Sequence, residues 1–207
     1  YNKIYSAYLD NTSNISITTC SAGNHAQGVA KTCNHLQIEH VIFVPVSTPK
    51  QKIGRIKHFG GDYLTLHIIG DTLKEALELS IIHSEINSST FVHPYNDIDV
   101  ILGQSTVAQE IYENIEPDYI IVPVGGGGLI SGVGSYSKMF NPKCEIIGVE
   151  PENANSMQLS LHNRLVTKVI HLDTFVDGAS VEIVGDKCFA ISESLIDKMV
   201  SINNGHL

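Results

Sequence analysis

Two short stretches of small residues carry the chemistry this sequence can do. The first is Ser21-Ala22-Gly23-Asn24-His25-Ala26-Gln27-Gly28, which follows the β-branched run Ile15-Ser16-Ile17-Thr18-Thr19 and opens into Val29-Ala30-Lys31-Thr32. The second is Gly125-Gly126-Gly127-Gly128-Leu129-Ile130-Ser131-Gly132, which follows Ile120-Ile121-Val122-Pro123-Val124. Each reads as strand, tight turn and helix. A helix start presents unpaired N–H groups and the positive end of the helix dipole, which suits carboxylate or phosphate. Four glycines in a row remove every Cβ, so successive amides can turn inward around a phosphate. Two anion cradles in one chain point to a ligand with phosphate at one end and carboxylate chemistry at the other. The glycine run departs from both common nucleotide loops. Ile130 or Ser131 stands where G-x-G-x-x-G needs its last glycine, and no Gly-Lys-Ser/Thr follows.

The elements that must position these turns alternate strand and helix. Glu39 to Val46 holds the apolar run Val41-Ile42-Phe43-Val44, the pattern of a strand buried on both faces. Thr48 is expected to cap the next helix, with Pro49 at its first position and its end near Gly60-Gly61. Tyr63 to Ile69 reads as a strand. Asp71 is expected to cap a helix whose apolar positions Leu73, Ala76, Leu77 and Ile81 follow a helical period. Phe91 to Asp97 reads as a connecting loop. A helix over 98–114, a strand over 119–124, a helix over Leu129 to Phe140 and a strand over Glu145 to Val149 complete the pattern. Such alternation predicts a parallel sheet with helices on both faces. Ligands gather at the carboxyl ends of such strands, where both glycine turns fall.

Bulk properties narrow the function. The chain has 207 residues, 43% of them hydrophobic, enough for a sizeable core in one domain or two small ones. A net charge of −9 argues against a nucleic-acid surface, which needs clustered Lys and Arg. No apolar run approaches the roughly 20 residues of a membrane span, and Tyr1-Asn2-Lys3 does not begin a signal peptide. Cys20, Cys33, Cys144 and Cys188 form no C-x-x-C pair and read as free thiols of a reducing compartment. The sequons at Asn11, Asn14 and Asn87 are chance matches in that setting, and the histidines, His93 among them, form no metal-ligand pattern.

With Ile147-Gly148-Val149-Glu150-Pro151 and Phe175-Val176-Asp177-Gly178-Ala179-Ser180-Val181 added, the chain resembles the fold-type II pyridoxal-phosphate enzymes. Among them it is similar to the threonine dehydratase group, over its whole length from Tyr1 to Leu207. The resemblance implies an α/β fold with parallel sheets and helices on both faces. It implies a small domain, 14–102, inserted into a large one that includes 1–13 and 103–207, with pyridoxal 5′-phosphate in the cleft between them. Gly125, Gly126, Gly127, Gly128 and Leu129 match the phosphate loop. Asn24 matches the residue that donates to the cofactor's phenolate oxygen, and it also reads as an N-cap. Ser21, Ala22, Gly23 and His25 match the loop that binds the substrate carboxylate, chiefly through backbone amides; His25 also reads as a structural hydrogen-bonding residue. Gln104, in Gly103-Gln104-Ser105-Thr106, matches a segment near the substrate and reads equally as the start of an ordinary helix. Asp177-Gly178-Ala179 resembles a loop near the cofactor ring.

Finer expectations follow from the same resemblance. Related serine racemases carry, at the position of Ala22, a serine that protonates the opposite face of the substrate carbanion. Alanine there favours elimination. Racemases also bind a divalent cation at the positions of Glu150 and Ala154, but Ser156 replaces their carboxylate, so no metal is expected and Glu150 reads as a hydrogen-bonding residue behind the cofactor. The Schiff-base lysine is expected upstream of Tyr1 in an S-F-K-x-R-G-A-like motif; Lys3 lacks that motif, so no catalytic residue is assigned in this chain. The C-terminal strand and the residue facing the pyridine nitrogen are expected beyond Leu207. The chain is therefore expected to be the interior piece of a longer enzyme and inactive by itself. The activity implied is conversion of L-threonine, and of L-serine, to a 2-oxo acid and ammonia by a cytoplasmic homo-oligomer serving isoleucine biosynthesis. The alternatives are a serine or 3-hydroxyaspartate dehydratase or racemase of the same fold, and a non-catalytic protein that binds pyridoxal phosphate or an amino acid.

Overall fold

The computed structural model describes residues 1–10, 15–176, 178–203 and 205. The sequons at Asn11 and Asn14, and Asp177 of the Phe175–Val181 stretch, lie outside the described residues. Contacts divide the chain into two compact units, Tyr1–Pro94 and Tyr95–Leu207.

The first unit runs α1 (Asn2–Asp10), β1 (Ser16–Cys20), α2 (Asn24–Leu36), β2 (Glu39–Val44), α3 (Lys50–Gly60), β3 (Leu64–Ile68), α4 (Leu73–Ile86) and β4 (Thr90–Phe91). A single 3-10 turn, Gly61–Tyr63, joins α3 to β3. The strands pair in parallel in the order β3-β2-β1-β4. Side chains alternate across each strand. Cys20, Val41 and Phe43 therefore point to one face, where they pack with Ala76 and Leu77 of α4. Ile17, Thr19, Ile42 and Val44 point to the other, where α2 packs with Ala26, Val29, Ala30 and Cys33 buried. Ile42, Phe43 and Val44 are all buried, as the apolar run in β2 predicts.

The second unit runs α5 (Ile98–Tyr112), β5 (Tyr119–Pro123), α6 (Gly128–Phe140), β6 (Glu145–Pro151), α7 (Ser156–Asn163), α8 (Asp186–Ser192) and β7 (Lys198–Ile202). Its sheet is parallel in the order β5-β6-β7. Ile120, Val122, Ile130, Val133, Ile146, Met157 and Phe189 form its core. The alternate residues of β5 remain outside: Tyr119 is 59% and Ile121 67% exposed. Gly132 lets α5 and α6 approach closely, since a Cβ there would lie 2.4 Å from the Ile101 carbonyl oxygen. No helix among the described residues is long and apolar enough to cross a membrane. All four cysteines are free and buried.

Several local expectations are corrected. Thr48 does not cap α3. Its N–H still closes a turn onto the Pro45 carbonyl at 3.0 Å, Pro49 occupies the N-cap with φ −58° and ψ 139°, and the helix starts at Lys50. The cap of α4 is Thr72 rather than Asp71. Thr72 Oγ1 accepts the Glu75 N–H at 3.2 Å, while the Glu75 carboxylate accepts the Asp71 N–H at 2.8 Å. A Thr-x-x-Glu box outbids the preceding aspartate because it satisfies two orphan donors together. The apolar period is half right about the buried face of α4: Ala76 and Leu77 pack on the sheet, but Leu73 and Ile81 do not. Ala76, Ser80 and Ser84 are buried, whereas Leu73 and Ile81 are 47% and 36% exposed. Small residues let that face lie close to the sheet, and each serine satisfies its hydroxyl on the preceding turn, at Leu77 and Ile81. Phe91 belongs to a strand rather than a loop, because Thr90 and Phe91 pair with Ile17 and Thr18 of β1. Asn24 is the first residue of α2 and not its cap; Gly23 holds that place.

Candidate functional site

In the first unit, β1 delivers the chain into the turn at Ser21. The Ser21 N–H donates to the Phe43 carbonyl at 3.2 Å, extending the β1–β2 ladder by one residue, and Ser21 Oγ accepts the Gly23 N–H at 3.1 Å. These two bonds fold Ser21-Ala22-Gly23 back on itself and launch α2. Gly23, at the N-cap, offers no side-chain oxygen, so α2 begins without a side-chain cap. Its first turn is therefore suited to an external anion. The Asn24 side chain is exposed and makes no hydrogen bond among the described residues.

The ring of His25 has a defined structural task. Thr19 Oγ1 donates to the Val92 carbonyl at 2.7 Å and lies 3.0 Å from His25 Nε2. One hydroxyl carries one proton. With that proton on Val92, Nε2 must carry the hydrogen donated to Thr19, and it also lies 3.3 Å from the Val92 carbonyl oxygen. The ring thus ties α2 to β1 and to the residue after β4. What His25 adds to an anion site is its place in the first helical turn.

In the second unit, the turn Val124 to Gly128 follows β5. The Val124 N–H reaches the Val149 carbonyl at 2.8 Å, and beyond it the ladder ends. Gly126, Gly127 and Gly128 are buried, and among the described residues their N–H groups donate to no protein acceptor. A buried amide without a partner costs about 1–3 kcal/mol. An anion that supplied acceptors here would remove that cost. Gly127 has φ +95°, and a Cβ on it would fall 2.8 Å from Cys188 Cβ and 2.9 Å from Met157 Cε, so both conformation and space demand glycine. A Cβ on Gly125 would lie 3.3 Å from the Ala179 Cα and 3.4 Å from the Gly178 carbonyl oxygen, which brings the Gly178-Ala179 backbone against the first glycine. The turn is held from behind. Ser131 Oγ lies between the Gly127 carbonyl at 2.7 Å, Ser192 Oγ at 2.9 Å and the Cys188 carbonyl at 3.2 Å. The Gly185 N–H donates to the Gly126 carbonyl at 3.1 Å. Leu129 follows in the first turn of α6 and is half-buried.

Glu150, at the end of β6, is 1% exposed. Its Oε1 accepts the Met157 N–H at 2.8 Å and its Oε2 the Gln158 N–H at 2.9 Å, so the carboxylate caps α7. Burial pushes its carboxyl up to about 7, and the two backbone bonds oppose that rise. Ser156 Oγ, in the same helical turn, is buried and has no hydrogen-bond partner among the described residues. Gln104 lies within α5, past its first turn, so it is not a helix start; its Cβ faces Gly132 of α6 at the position a Cβ there would occupy. Among the described residues no group of three or more His, Cys, Asp or Glu side chains is placed to hold a metal ion.

Tyr95, Asn96 and Asp97, which read in the sequence only as part of a connecting loop, make defined contacts. Asp97 caps α5, accepting from Asp99 N at 2.9 Å and Val100 N at 3.3 Å. The Asn96 side chain donates to Asp186 at 2.5 Å and accepts from Lys187 N at 3.0 Å. A proline-aromatic-Asn-Asp run before an amphipathic helix was the available signal for the cap. Nothing local announced the contact with α8.

A buried turn of unpartnered amides opening a helix, held by a second layer of serines, is chemically suited to a phosphate monoester. The chain belongs to the family of pyridoxal-phosphate-dependent enzymes, whose pattern matches residues 1–206. It is 47% identical over 196 residues to the L-threonine dehydratase biosynthetic IlvA of Staphylococcus saprophyticus, covering 91% of this chain and 46% of that protein. It is 42% identical over 211 residues to the protein of the same name from Staphylococcus epidermidis, covering 99% and 50%. The chain thus spans about half the length of the curated relatives it matches. The structure of the processed form of threonine deaminase isoform 2 from Solanum lycopersicum superposes with a TM-score of 0.86 at 38% identity, over 98% of this chain and 60% of that one. The α/β fold with parallel sheets expected from the sequence is shared with it.

Proposed function

We propose that the full-length protein dehydrates and deaminates L-threonine, and L-serine, to a 2-oxo acid and ammonia with pyridoxal 5′-phosphate. The observation that carries this reading is the buried Gly126–Gly128 turn, whose amides have no protein acceptor, in a chain so close to threonine dehydratases. Bound pyridoxal phosphate supplies an electron sink for the charge that builds at the substrate Cα when its proton leaves. The amides of Gly125, Gly126, Gly127, Gly128 and Leu129, with the α6 dipole, would hold its phosphate. The Asn24 amide would donate to its phenolic oxygen. Glu150, whose two oxygens accept the Met157 and Gln158 N–H groups, would be a hydrogen-bonding residue behind the cofactor.

The substrate carboxylate would sit at the start of α2, in the turn formed by Ser21, Ala22, Gly23 and His25, on the amides of Ala22 and His25, since the Ser21 and Gly23 N–H groups are taken by the Phe43 carbonyl and by Ser21 Oγ; Gln104 would be a further substrate contact. Gripping the carboxylate there would fix the orientation of the substrate Cα. Ala22 presents a methyl group and can return no proton, which supports elimination over racemisation. No residue of this chain is assigned the proton transfer at Cα. For the full-length protein we also infer a small domain at 14–102 with 1–13 and 103–207 in the large one, a homo-oligomer, a cytoplasmic location and a role in isoleucine biosynthesis.

The test is turnover by the purified full-length protein loaded with pyridoxal phosphate. Threonine should give 2-oxobutanoate and ammonia in equal amounts, and the cofactor absorbance should change on adding threonine. Release of D-serine from L-serine without oxo acid would move the protein to the racemases. A cofactor that binds but supports neither reaction would leave the binding protein.

A further inference from the structure

The contact that shapes the glycine turn comes from Tyr95. A Cβ built on Gly126 would lie 2.3 Å from Tyr95 Cγ and 2.4 Å from each Cδ. Near-equal distances to three ring atoms place that position over the face of the ring, not its edge. A Cβ on Gly128 would lie 3.0 Å from Tyr95 Cβ and 3.1 Å from its Cα. The tyrosine therefore lies against two of the three glycines whose buried amides lack acceptors, and the missing Cβ atoms are what admit it.

Tyr95 is itself pinned. Its carbonyl accepts the Cys188 thiol at 3.3 Å. The neighbouring Asn96 side chain is tied to Asp186 and Lys187 at the start of α8. A Cβ on Gly185 would collide with that side chain, 2.5 Å from Asn96 Oδ1. Gly185 in turn donates to the Gly126 carbonyl. The loop 95–96, the start of α8 and the glycine turn close a ring of contacts within one unit. Glycine-rich backbone has wide conformational freedom and loses more of it on ordering than any other. Something rigid must select one conformation of such a turn, and the face of the Tyr95 ring lies against it.

Resting on the pyridoxal-phosphate reading above, we propose that Tyr95 is a positioning residue for the phosphate cradle: its ring holds the Gly126 peptide so that the Gly126–Gly128 amides converge on one anion. It touches the backbone, not the reacting atoms. Its effect should therefore fall on the phosphate end of the cofactor and spare the ring end.

The experiment compares equilibrium binding of pyridoxal phosphate and of pyridoxal, which lacks the phosphate, to the full-length apoprotein by absorbance titration. Tyr95→Phe keeps the ring face and should bind both ligands within about twofold of the parent. Tyr95→Ala should weaken pyridoxal phosphate by about tenfold or more, the scale of an interaction between contacting residues, and leave pyridoxal nearly unchanged. Tyr95→Leu, which keeps bulk without a flat face, should do the same and serves where the alanine variant fails to fold. Gly126→Ala should also weaken the phosphate-bearing ligand. In the Tyr95→Ala background its further cost should shrink, because the ring it would strike is gone. Equal loss of both ligands in Tyr95→Ala and Tyr95→Leu, no loss of either, or independent multiplication of the two substitutions would overturn the proposal. An unmutated protein that does not prefer pyridoxal phosphate over pyridoxal would instead overturn the cofactor reading on which it rests.

Discussion

Replacing Glu150 by glutamine gives a measurable consequence of burying a carboxyl group behind α7. In the folded chain its pKa stands at about 7, against an ordinary 4.5. Unfolding returns it to water and to the ordinary value. Between those two pH values the folded state holds a proton that the unfolded state has released, so stability falls as pH rises through that window and levels off above about 7. At about 1.4 kcal/mol per pH unit, the gap corresponds to about 3 kcal/mol. Glutamine cannot ionise. It has one oxygen for the two N–H groups of Met157 and Gln158, so one of those donors is left facing an NH2 group, at a cost of about 1–3 kcal/mol that does not vary with pH. The substitution should thus destabilise most at pH 5 and become progressively less harmful, by about 3 kcal/mol, up to pH 8. The other titrating groups are common to both proteins and cancel in the difference. Urea unfolding of the full-length protein and its Glu150→Gln variant at pH 5, 6, 7 and 8 measures it. Parallel stability profiles across that range would refute the reasoning, as would a variant that loses ground on going to high pH.

Four other outcomes are expected. Gly127→Ala forces a side chain into φ +95° and within 2.8 Å of Cys188 Cβ; strain of about 1–2 kcal/mol and overpacking of about 1–3 kcal/mol should lower the melting temperature by several degrees, and a change below one degree contradicts the geometry. Thr19→Val removes the hydroxyl that joins Val92 to His25 and should cost about 1–3 kcal/mol in urea unfolding, with an unaltered midpoint as the opposing result. Thr72→Ala deletes the oxygen that caps α4 and should cost about 1 kcal/mol, whereas Asp71→Ala, whose N–H and not its side chain takes part, should cost less. Asn24→Ala touches an exposed side chain without a hydrogen bond and should move stability by less than about 0.5 kcal/mol while altering the absorbance of bound pyridoxal phosphate; an unchanged spectrum removes Asn24 from the cofactor.

Much of the architecture is legible in one dimension because its causes are local. The β2 run of apolar residues has to be buried on both faces wherever it lies. The glycine run after Val124 and the Ser21–Gly28 stretch announce strand, turn and helix start by composition; α6 begins one residue before the expected Leu129, while α2 begins at Asn24, inside the stretch rather than after it. Capping and facing are harder to read, because two local solutions compete. Asp71 and Thr72 both suit a cap, and only the reach of Glu75 decides between them. Leu73 and Ile81 are as apolar as any core residue, yet α4 turns Ser80 and Ser84 to the sheet, since close approach there outweighs the apolar surface left exposed. The β4 strand is two residues long, too short to show a period, and exists because β1 has an edge to offer it.

What composition and order alone determined is that this chain alternates strands and helices into parallel sheets and carries two turns of small residues, each between a strand and a helix start. Those properties follow from each residue's own conformational range and apolarity. What tertiary structure decided is how the turns are held: Tyr95 laid on Gly126, Ser131 and Ser192 behind Gly127, Thr19 and Val92 fixing the His25 ring, and Glu150 closing the start of α7. Most of these contacts join residues far apart in the chain, and only packing can bring a side chain to a backbone that carries no mark of its approach except the absence of a Cβ.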